Sequence, residues 1–478
     1  MNAVFGKAPT LGVVSNSIGV FDEGSKKTIE TQMRTLVEQL IQRGEISPQS
    51  VFYPKRTCGP QDMAPVVDAF ARAKVDAVIV LDSAFPNGNA FLTLATDPYL
   101  RHVPLIAVCP PEFKLASREW SVNSYCGVIM NNFVARRLGR PLFTLCGLPE
   151  SGEFQTSFAR LLSAARAIRA LREDLIGRFG DAPSGFHSAN GDQMAYARVF
   201  GTRIEVMDLA GVLTVYEQAK TTGPLGERSF SEQDIEATYA KMMAAGPCEC
   251  ELDRVRRAAR LYHAYKAIIE ANGYTAVAIR CWPDFFVGHM HIAQCLVLGW
   301  LMSENVVRVA ACESDWTTAV AASMGAVLAG QPSPCVDFIG DLSASSLVTL
   351  GHCGVGIPRL MSRQLLSHIG PDRQAGCLYG PTCEGQYAYG PKTGVSIIQD
   401  DGVFKMLAFT GANSAETDQK RRISGADIIC ANHRRLNELV FEHGFPHHLA
   451  LVFGDVTAEL KLLAEFYGME YYNPDAIG

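Results

Sequence analysis

The sequence predicts an α/β protein of about three domains, two built on parallel sheets and a third that contains an antiparallel sheet or small barrel. The chain has 478 residues, and domains commonly hold about 100–200 residues. Short apolar runs alternate with helical patterns through most of the chain, which is typical of βαβ units. Towards the C-terminus, two long strand patterns flank Asp400-Asp401-Gly402, which is a hairpin turn signal.

The first part of the chain shows the alternation of a parallel sheet. An amphipathic pattern predicts a helix over about 27–43, and a second helix is predicted over 62–74. Strands are predicted at 11–15, 51–53, 77–81 and 104–108. Turn-forming residues at 149–152 place the boundary to a second domain there.

The second part continues the alternation. A long helical pattern covers 153–178. Predicted helices follow at 231–245 and 252–271, and predicted strands lie at 203–207, 275–282, 306–311 and 335–339. Helical patterns at 289–302 and 317–328 connect the last three strands. We therefore expect a βαβαβ unit, whose right-handed crossovers would put all three strand ends at one edge of a parallel sheet.

The last part changes character. Besides the hairpin around residues 400–402, it holds helical patterns at 433–443 and 458–466 and a strand pattern at 449–453. The hairpin predicts antiparallel pairing, in contrast to the first two parts.

Composition excludes several classes of function. The net charge is −6, with 43 basic against 49 acidic residues, so there is no electrostatic footprint for nucleic acid. The longest apolar run, 293–302, is far shorter than the roughly 20 residues of a membrane span. The N-terminus lacks the pattern of a signal peptide. These features predict a cytoplasmic protein with no membrane partner.

Three predicted strand ends carry residues that could bind a metal. Apolar runs end at Glu313, at Asp337 and at His352. Ligands of open α/β sheets bind outside the carboxyl ends of the strands. Carboxylate and imidazole ligands suit Mn²⁺, Mg²⁺ or Co²⁺, whereas the cysteines lack the paired spacing of a structural zinc site.

A pair of histidines, His447 and His448, lies beside the strand pattern at 449–453. Adjacent residues of an extended segment point in opposite directions. We therefore expect one of the two to reach the metal. A histidine beside an apolar strand is more often structural. This pair therefore indicates a metal site only in combination with Glu313, Asp337 and His352.

Several segments resemble the L-fucose isomerase / L-arabinose isomerase superfamily. They are AIRCWP, RVAACESD, CVDFIGD, GHCG, TGVSIIQDDGVFKML and GFPHHLAL. The resemblance covers most of the chain and is clearest from residue 275 to the C-terminus. It implies a Rossmann-like N-terminal domain (1–150), a second α/β domain (151–345) and a C-terminal domain with a β-barrel (346–478). Family members are homohexamers, so it also implies a hexameric or trimer-based assembly with sites at subunit interfaces.

The resemblance carries over to individual residues. Glu313 matches the first metal-binding carboxylate and Asp337 the second, where Asp is similar to the fucose isomerase branch. His448 matches the distal histidine ligand. His352 resembles an additional histidine ligand of arabinose isomerases, which the fucose isomerase branch lacks. Sugar contacts from the N-terminal segment of a neighbouring subunit are also implied, with Arg56, Asn87 and Asn89 as candidates.

The implied activity is Mn²⁺-dependent aldose–ketose isomerisation of an open-chain sugar through a cis-enediol. A divalent ion on the two sugar oxygens would stabilise the enediolate. Glu313 and Asp337 would move the proton between neighbouring carbons, and the residues leave open which of the two is the base. The sugar is also open. So are two alternatives: an epimerase, lyase or decarboxylase that uses the same enediolate, and a non-catalytic sugar-binding protein.

Overall fold

The structure, a computed structural model, describes residues 3–112, 121–283, 290–340, 342–369 and 379–476. It divides into two compact units, Gly6–Arg169 and a larger unit of Met1–Phe5 with Ala170–Gly478. The mixed α/β class with parallel sheets and a C-terminal barrel is confirmed. The three-domain division at residues 150 and 345 stays a prediction.

The unit Gly6–Arg169 is built on a parallel sheet with the strand order β2-β1-β3-β4-β5. The strands are β1 (Leu11–Ser15), β2 (Val51–Phe52), β3 (Ala77–Leu81), β4 (Leu105–Cys109) and β5 (Leu142–Cys146). The helices are α1 (Glu23–Gln42), α2 (Pro60–Ala73), α3 (Gly88–Thr96), α4 (Ser124–Arg137) and α5 (Gly152–Arg172), the last of which crosses the division between the units. Every residue of β1, β3 and β4 is buried, as expected where helices cover both faces of a parallel sheet.

The larger unit contains a second parallel sheet, with the order β11-β10-β6-β7. Its strands are β6 (Leu175–Phe179), β7 (Arg203–Met207), β10 (Ala276–Ile279) and β11 (Ala310–Ala311), and a small hairpin is formed by β8 (Lys220–Gly223) and β9 (Gly226–Ser229). Its helices are α6 (Gln193–Phe200), α7 (Leu209–Gln218), α8 (Glu232–Ala244), α9 (Leu252–Asn272), α10 (Cys295–Ser303) and α11 (Trp316–Ala329).

Two local predictions in this unit are wrong at their ends. The helix predicted over 153–178 stops at Arg172, because Leu175–Phe179 is a central strand that pairs with β10 on one side and β7 on the other. The helix predicted over 289–302 begins at Cys295, and residue 289 itself lies outside the described residues. In both places tertiary packing decided the boundary, which apolar spacing alone cannot show.

The remaining strands form a six-stranded closed barrel. Its strands are β12 (Cys335–Ile339), β13 (Leu347–His352), β16 (Gly390–Asp400), β17 (Val403–Asn413), β18 (Ser424–Ile429) and β19 (His448–Phe453). The order is β18-β13-β12-β19-β16-β17, and β17 returns to β18 through the pair Ala412 and Ile429. At this seam a Cβ atom on Gly411 would lie 2.6 Å from the carbonyl oxygen of Ile429. All six pairings are antiparallel.

Further elements extend this sheet or flank the barrel. They are β14 (Met361–Ile369), β15 (Tyr379–Tyr387), β20 (Glu470–Tyr472), α12 (His433–His443) and α13 (Thr457–Tyr467). The hairpin predicted around residues 400–402 is confirmed as β16 and β17. Within the described ranges, no helix is both long enough and apolar enough to cross a membrane.

The predicted βαβαβ unit is wrong in its third strand. Strands β10 and β11 are parallel neighbours, but β12 leaves their sheet and pairs antiparallel with β13 and β19 in the barrel. A short apolar run is compatible with either kind of sheet. The partners of β12, which are β13 and β19, follow later in the chain. The choice between a parallel and an antiparallel sheet therefore depends on strand pairing that the local sequence pattern does not encode.

Helix α11 joins the parallel sheet to the barrel and packs closely against β19. Nearly all of its residues are buried, and most of them are small. A Cβ atom on Gly325 would lie 2.2 Å from Cγ2 of Val452 on β19, so only glycine permits this approach. The close packing fixes the N-terminus of α11 relative to the barrel strands.

Candidate metal centre

The register of the barrel strands brings three of the predicted residues together. Asp337 on β12 lies directly opposite His448 on β19 and, on its other side, opposite Gly351 on β13. Residues directly opposite each other in an antiparallel pair have Cβ atoms about 4.5–5.5 Å apart. His352 is the next residue after Gly351 and ends β13. Asp337 therefore lies between two histidines on neighbouring strands.

Glu313 reaches the same place from the parallel sheet. It follows β11, and Glu313 and Ser314 have φ angles of +57° and +59°. Non-glycine residues in this left-handed region are strained by about 1–3 kcal/mol each. The turn is held because the Ser314 amide donates to the carbonyl oxygen of Ile279 at 3.0 Å and its hydroxyl donates to that of Gly180 at 2.8 Å. After this turn, Oε2 of Glu313 lies 3.2 Å from Nε2 of His448.

The four predicted ligands converge. Nε2 of His448 lies 3.2 Å from Oε2 of Glu313 and 3.4 Å from Oδ1 of Asp337. Nε2 of His352 lies 4.0 Å from the other Asp337 oxygen, Oδ2. His447 is also near, with Nε2 4.0 Å from Oδ1 of Asp337, but 47% of its side chain is exposed against 1% for His448.

Sequence reasoning missed Asp315, which orients His448. Oδ2 of Asp315 accepts a hydrogen bond of 2.8 Å from Nδ1 of His448. Asp315 also begins α11, where its Oδ1 accepts from the backbone amide of Thr318 at 2.8 Å. The segment ESDWTT could have indicated an N-cap aspartate. Its contact with a histidine 133 residues away had no local signal.

Trp282 was also missed as a partner of Glu313. Its indole Nε1–H donates to Oε1 of Glu313 at 2.9 Å, which leaves Oε2 directed at His448. The ring of Phe186 packs edge-on against Trp282, with ring centroids 5.5 Å apart. The neighbouring residues Asp284–Phe286 lie outside the described residues.

Charges at the centre balance one another. Burial raises the pKa of Glu313, but its contact with His448 and the charges of the two imidazoles outweigh burial, so its pKa is lowered. Burial alone would lower the pKa of His448, but Cys335 and the carboxylates of Asp315 and Glu313 raise this pKa well above its ordinary value. The ionised form of Glu313 is therefore favoured.

The residues fit a divalent cation. Nε2 of His448 is buried and makes no hydrogen bond, although two carboxylates lie within 3.4 Å of it. Such an orphaned nitrogen is costly unless something binds it. Two carboxylate oxygens and one imidazole nitrogen form a ligand set suited to a hard-to-borderline ion.

Space for a small ligand lies in front of this cluster. Glu313 and Asp337 line a cavity of about 460 Å³, together with Phe186, Phe338 and His447. Aromatic walls with a few convergent polar groups are typical of small-molecule sites.

The three candidates from the N-terminal part lie in the unit Gly6–Arg169. Nε of Arg56 donates to Oε1 of Glu30 at 2.7 Å. Asn87 caps α3 by accepting from the amides of Asn89 and Ala90, and Asn89 is exposed. Their contact with a sugar stays a prediction.

Known proteins similar to this chain are sugar isomerases. Sulfoquinovose isomerase of Alkalicoccus urumqiensis is 26% identical over 416 residues, which cover 84% of this chain and 88% of that protein. Those of Clostridium sp. (strain MSTE9) and Priestia aryabhattai are 26% and 25% identical, over 73% and 86% of this chain and 76% and 88% of their own lengths. No family model matches the chain. The similarity supports the prediction of an isomerase enzyme.

Proposed function

We propose that this chain is a metal-dependent aldose–ketose isomerase of the L-fucose/L-arabinose isomerase superfamily that acts on an open-chain sugar. One observation carries the proposal. The buried, unbonded Nε2 of His448 faces the Glu313 and Asp337 carboxylates, in an arrangement that a divalent ion would complete. The resemblance of the sequence motifs and the similarity to sulfoquinovose isomerases support the same activity.

Glu313, Asp337 and His448 would hold the ion, with Mn²⁺ as our first choice and Mg²⁺ or Co²⁺ as alternatives. When bound, the ion supplies Lewis-acid polarisation of the hydroxy-carbonyl oxygens of the sugar, which makes the adjacent C–H more acidic. Trp282 keeps one Glu313 oxygen in place. Asp315 keeps His448 in the orientation that presents Nε2.

The chain's own acids would carry the proton. In an enediol mechanism, a base removes the proton from the carbon beside the carbonyl and a proton returns to the neighbouring carbon, while the hydroxyl proton moves from one sugar oxygen to the other. Glu313 and Asp337 both line the cavity, so each can face the reacting carbons of a bound sugar. We propose them as the catalytic pair, with the division of roles between them left to experiment.

We propose sulfoquinovose, a sulfonated aldose, as the first substrate to test, because the similar proteins are named for it. A panel should also contain L-fucose, L-arabinose and D-glucose. The assembly we propose is a homohexamer or another trimer-based oligomer with its sites at subunit interfaces, as the family resemblance implies, and light scattering would measure its mass.

The test is isotope exchange. The Mn²⁺-loaded protein is incubated with each sugar in D₂O, and the products are analysed by NMR and mass spectrometry. An isomerase forms the ketose, incorporates deuterium at C1 or C2 and conserves the carbon number. A lyase or decarboxylase changes the carbon number, and an epimerase returns an aldose, so either result would replace the proposed function.

The first variant is Glu313→Gln, with Glu416→Gln as the matched control, because Glu416 is an exposed acid. The amide removes the charge of a ligand and of a proposed proton carrier. We expect turnover to be lost and Mn²⁺ affinity to fall by more than about 100-fold, since losing a ligand should exceed the 10–100-fold cost of losing its supporting partner. Full activity in Glu313→Gln would refute the site.

A further inference from the structure

His352 and His448 flank the same carboxylate, yet the hydrogen bonds at their Nδ1 atoms differ. We infer that His352 is not a metal ligand but an N–H donor to an oxygen of the sugar's hydroxy-carbonyl group. This inference rests on the proposed function for its substrate, and on the geometry around the His352 ring for the donor role.

The Nδ1 atom of His352 is a hydrogen-bond acceptor. The backbone N–H of Cys353 donates to it at 3.0 Å. The Sγ atom of Cys353 lies 3.2 Å from the same nitrogen. A backbone N–H group can only donate, so a proton on Nδ1 would clash with the N–H hydrogen of Cys353. The neutral ring therefore carries its proton on Nε2.

His448 has the opposite arrangement. Its Nδ1 faces the carboxylate of Asp315 at 2.8 Å, and an ionised carboxylate can only accept. Nδ1 therefore carries the proton of the neutral ring, and the lone pair of Nε2 is free for an ion. A carboxylate partner of this kind is usual behind a metal-binding histidine.

A protonated Nε2 on His352 cannot bind a metal, because that nitrogen has no free lone pair. The ring is 4% exposed, and its Nε2 has no hydrogen-bond partner. The nearest acid, Oδ2 of Asp337, is 4.0 Å away, which exceeds hydrogen-bond distance. The structure thus holds a buried donor that lacks an acceptor beside the proposed ion site.

A sugar oxygen would be that acceptor. As the proton leaves the carbon, negative charge develops on the hydroxy-carbonyl oxygens, and a preoriented N–H donor stabilises it more strongly than it stabilises the ground state. Removing one such donor typically lowers the turnover rate about 10²–10³-fold. His352 would act on the transition state, whereas His448 would act on the ion.

The experiment compares three variants of the full-length protein: His352→Leu, His352→Gln and His448→Gln. Free Mn²⁺ is titrated and measured by EPR, which reports metal binding without any turnover. We expect both His352 variants to retain Mn²⁺ affinity within about threefold and His448→Gln to lose it. Turnover should fall about 100-fold in His352→Leu, and the amide N–H of His352→Gln should restore part of it.

A second measurement needs no substitution. The ring ¹⁵N chemical shifts of histidine-labelled wild-type protein with Mg²⁺ identify which nitrogen carries the proton. We expect His352 to be protonated on Nε2 and His448 on Nδ1. This result does not depend on whether a variant folds.

The outcomes separate the two proposals. Loss of Mn²⁺ affinity in folded His352→Leu, or a proton on Nδ1 of His352, would overturn the inference while wild-type turnover leaves the proposed function intact. An absence of turnover by the wild type with every sugar in the panel would overturn the proposed function, and with it the substrate contact of His352.

Discussion

The surroundings of His448 and His352 differ more than their positions do. Both rings are buried, their centroids are 5.5 Å apart, and each lies beside one oxygen of Asp337. His448 is backed by a side-chain carboxylate at the start of a helix. His352 is backed by a main-chain amide at the end of its own strand.

In the proposed centre, residue type and proximity alone do not decide which histidine is a ligand. The family resemblance likens both histidines to metal ligands, although the fucose isomerase branch lacks the ligand that His352 resembles, and both rings lie beside Asp337. The partner at the far side of each ring sets which nitrogen is protonated. The partner of His448 lies 133 residues away in the sequence, whereas the partner of His352 is the backbone amide of the next residue. Three substitutions would break or sharpen this contrast.

The largest expected effect is that of Asp315→Asn. The amide preserves the helix cap but removes the ionised acceptor that keeps the proton of His448 on Nδ1. We expect Mn²⁺ affinity to fall about 10–100-fold, measured by EPR titration. Asp455→Asn is the matched control, since Asp455 accepts from the Thr457 amide at the start of α13. An unchanged affinity in Asp315→Asn would remove the basis for distinguishing the two rings.

An intermediate effect is expected for Trp282→Phe. The ring contact with Phe186 is kept, but Oε1 of Glu313 loses its donor. A hydrogen bond to a charged group contributes about 1.5 kcal/mol or more, so Mn²⁺ affinity should fall about tenfold. Trp300→Phe on α10 controls for the loss of an indole, since Trp300 is a buried tryptophan outside the site. An equal loss in both variants would show that the effect is general destabilisation.

The smallest effect is expected for Cys353→Ala. The thiol is removed, but the backbone amide that donates to Nδ1 of His352 remains. Turnover and Mn²⁺ affinity should both stay within about threefold of wild type, because the ring keeps its tautomer. A loss of turnover as large as that of His352→Leu would assign the control of the ring to the thiol instead.

Much of the fold was predictable because its signals are local. Alternating apolar runs identified the strands β1, β3, β7 and β12 closely, and the hairpin turn at residues 400–402 identified β16 and β17. The partners of β12 were not predictable, since β13 and β19 follow it in the chain and only packing selects antiparallel pairing. The strand β6 was missed for a similar reason: a helical pattern runs into it without a break.

The candidate site divides in the same way. Glu313, Asp337, His352 and His448 could be named because carboxylates and histidines at strand ends are visible in sequence. Asp315 and Trp282 could not, since their roles consist of contacts across 133 and 31 residues of chain. The protonation of the His352 ring depends on the direction of the Cys353 backbone N–H, which sequence composition and residue spacing do not indicate.

The closed barrel has a mechanical consequence for this centre. Asp337 is on the middle strand of three, with His352 on one neighbour and His448 on the other. Because the barrel is closed, these strands cannot move apart unless the pairing between two other barrel strands breaks. The shortest pairing is that of β17 with β18, where Ala412 pairs with Ile429. The distance between the two imidazoles is therefore set by the circumference of the barrel. Lengthening a surface loop should not change this distance.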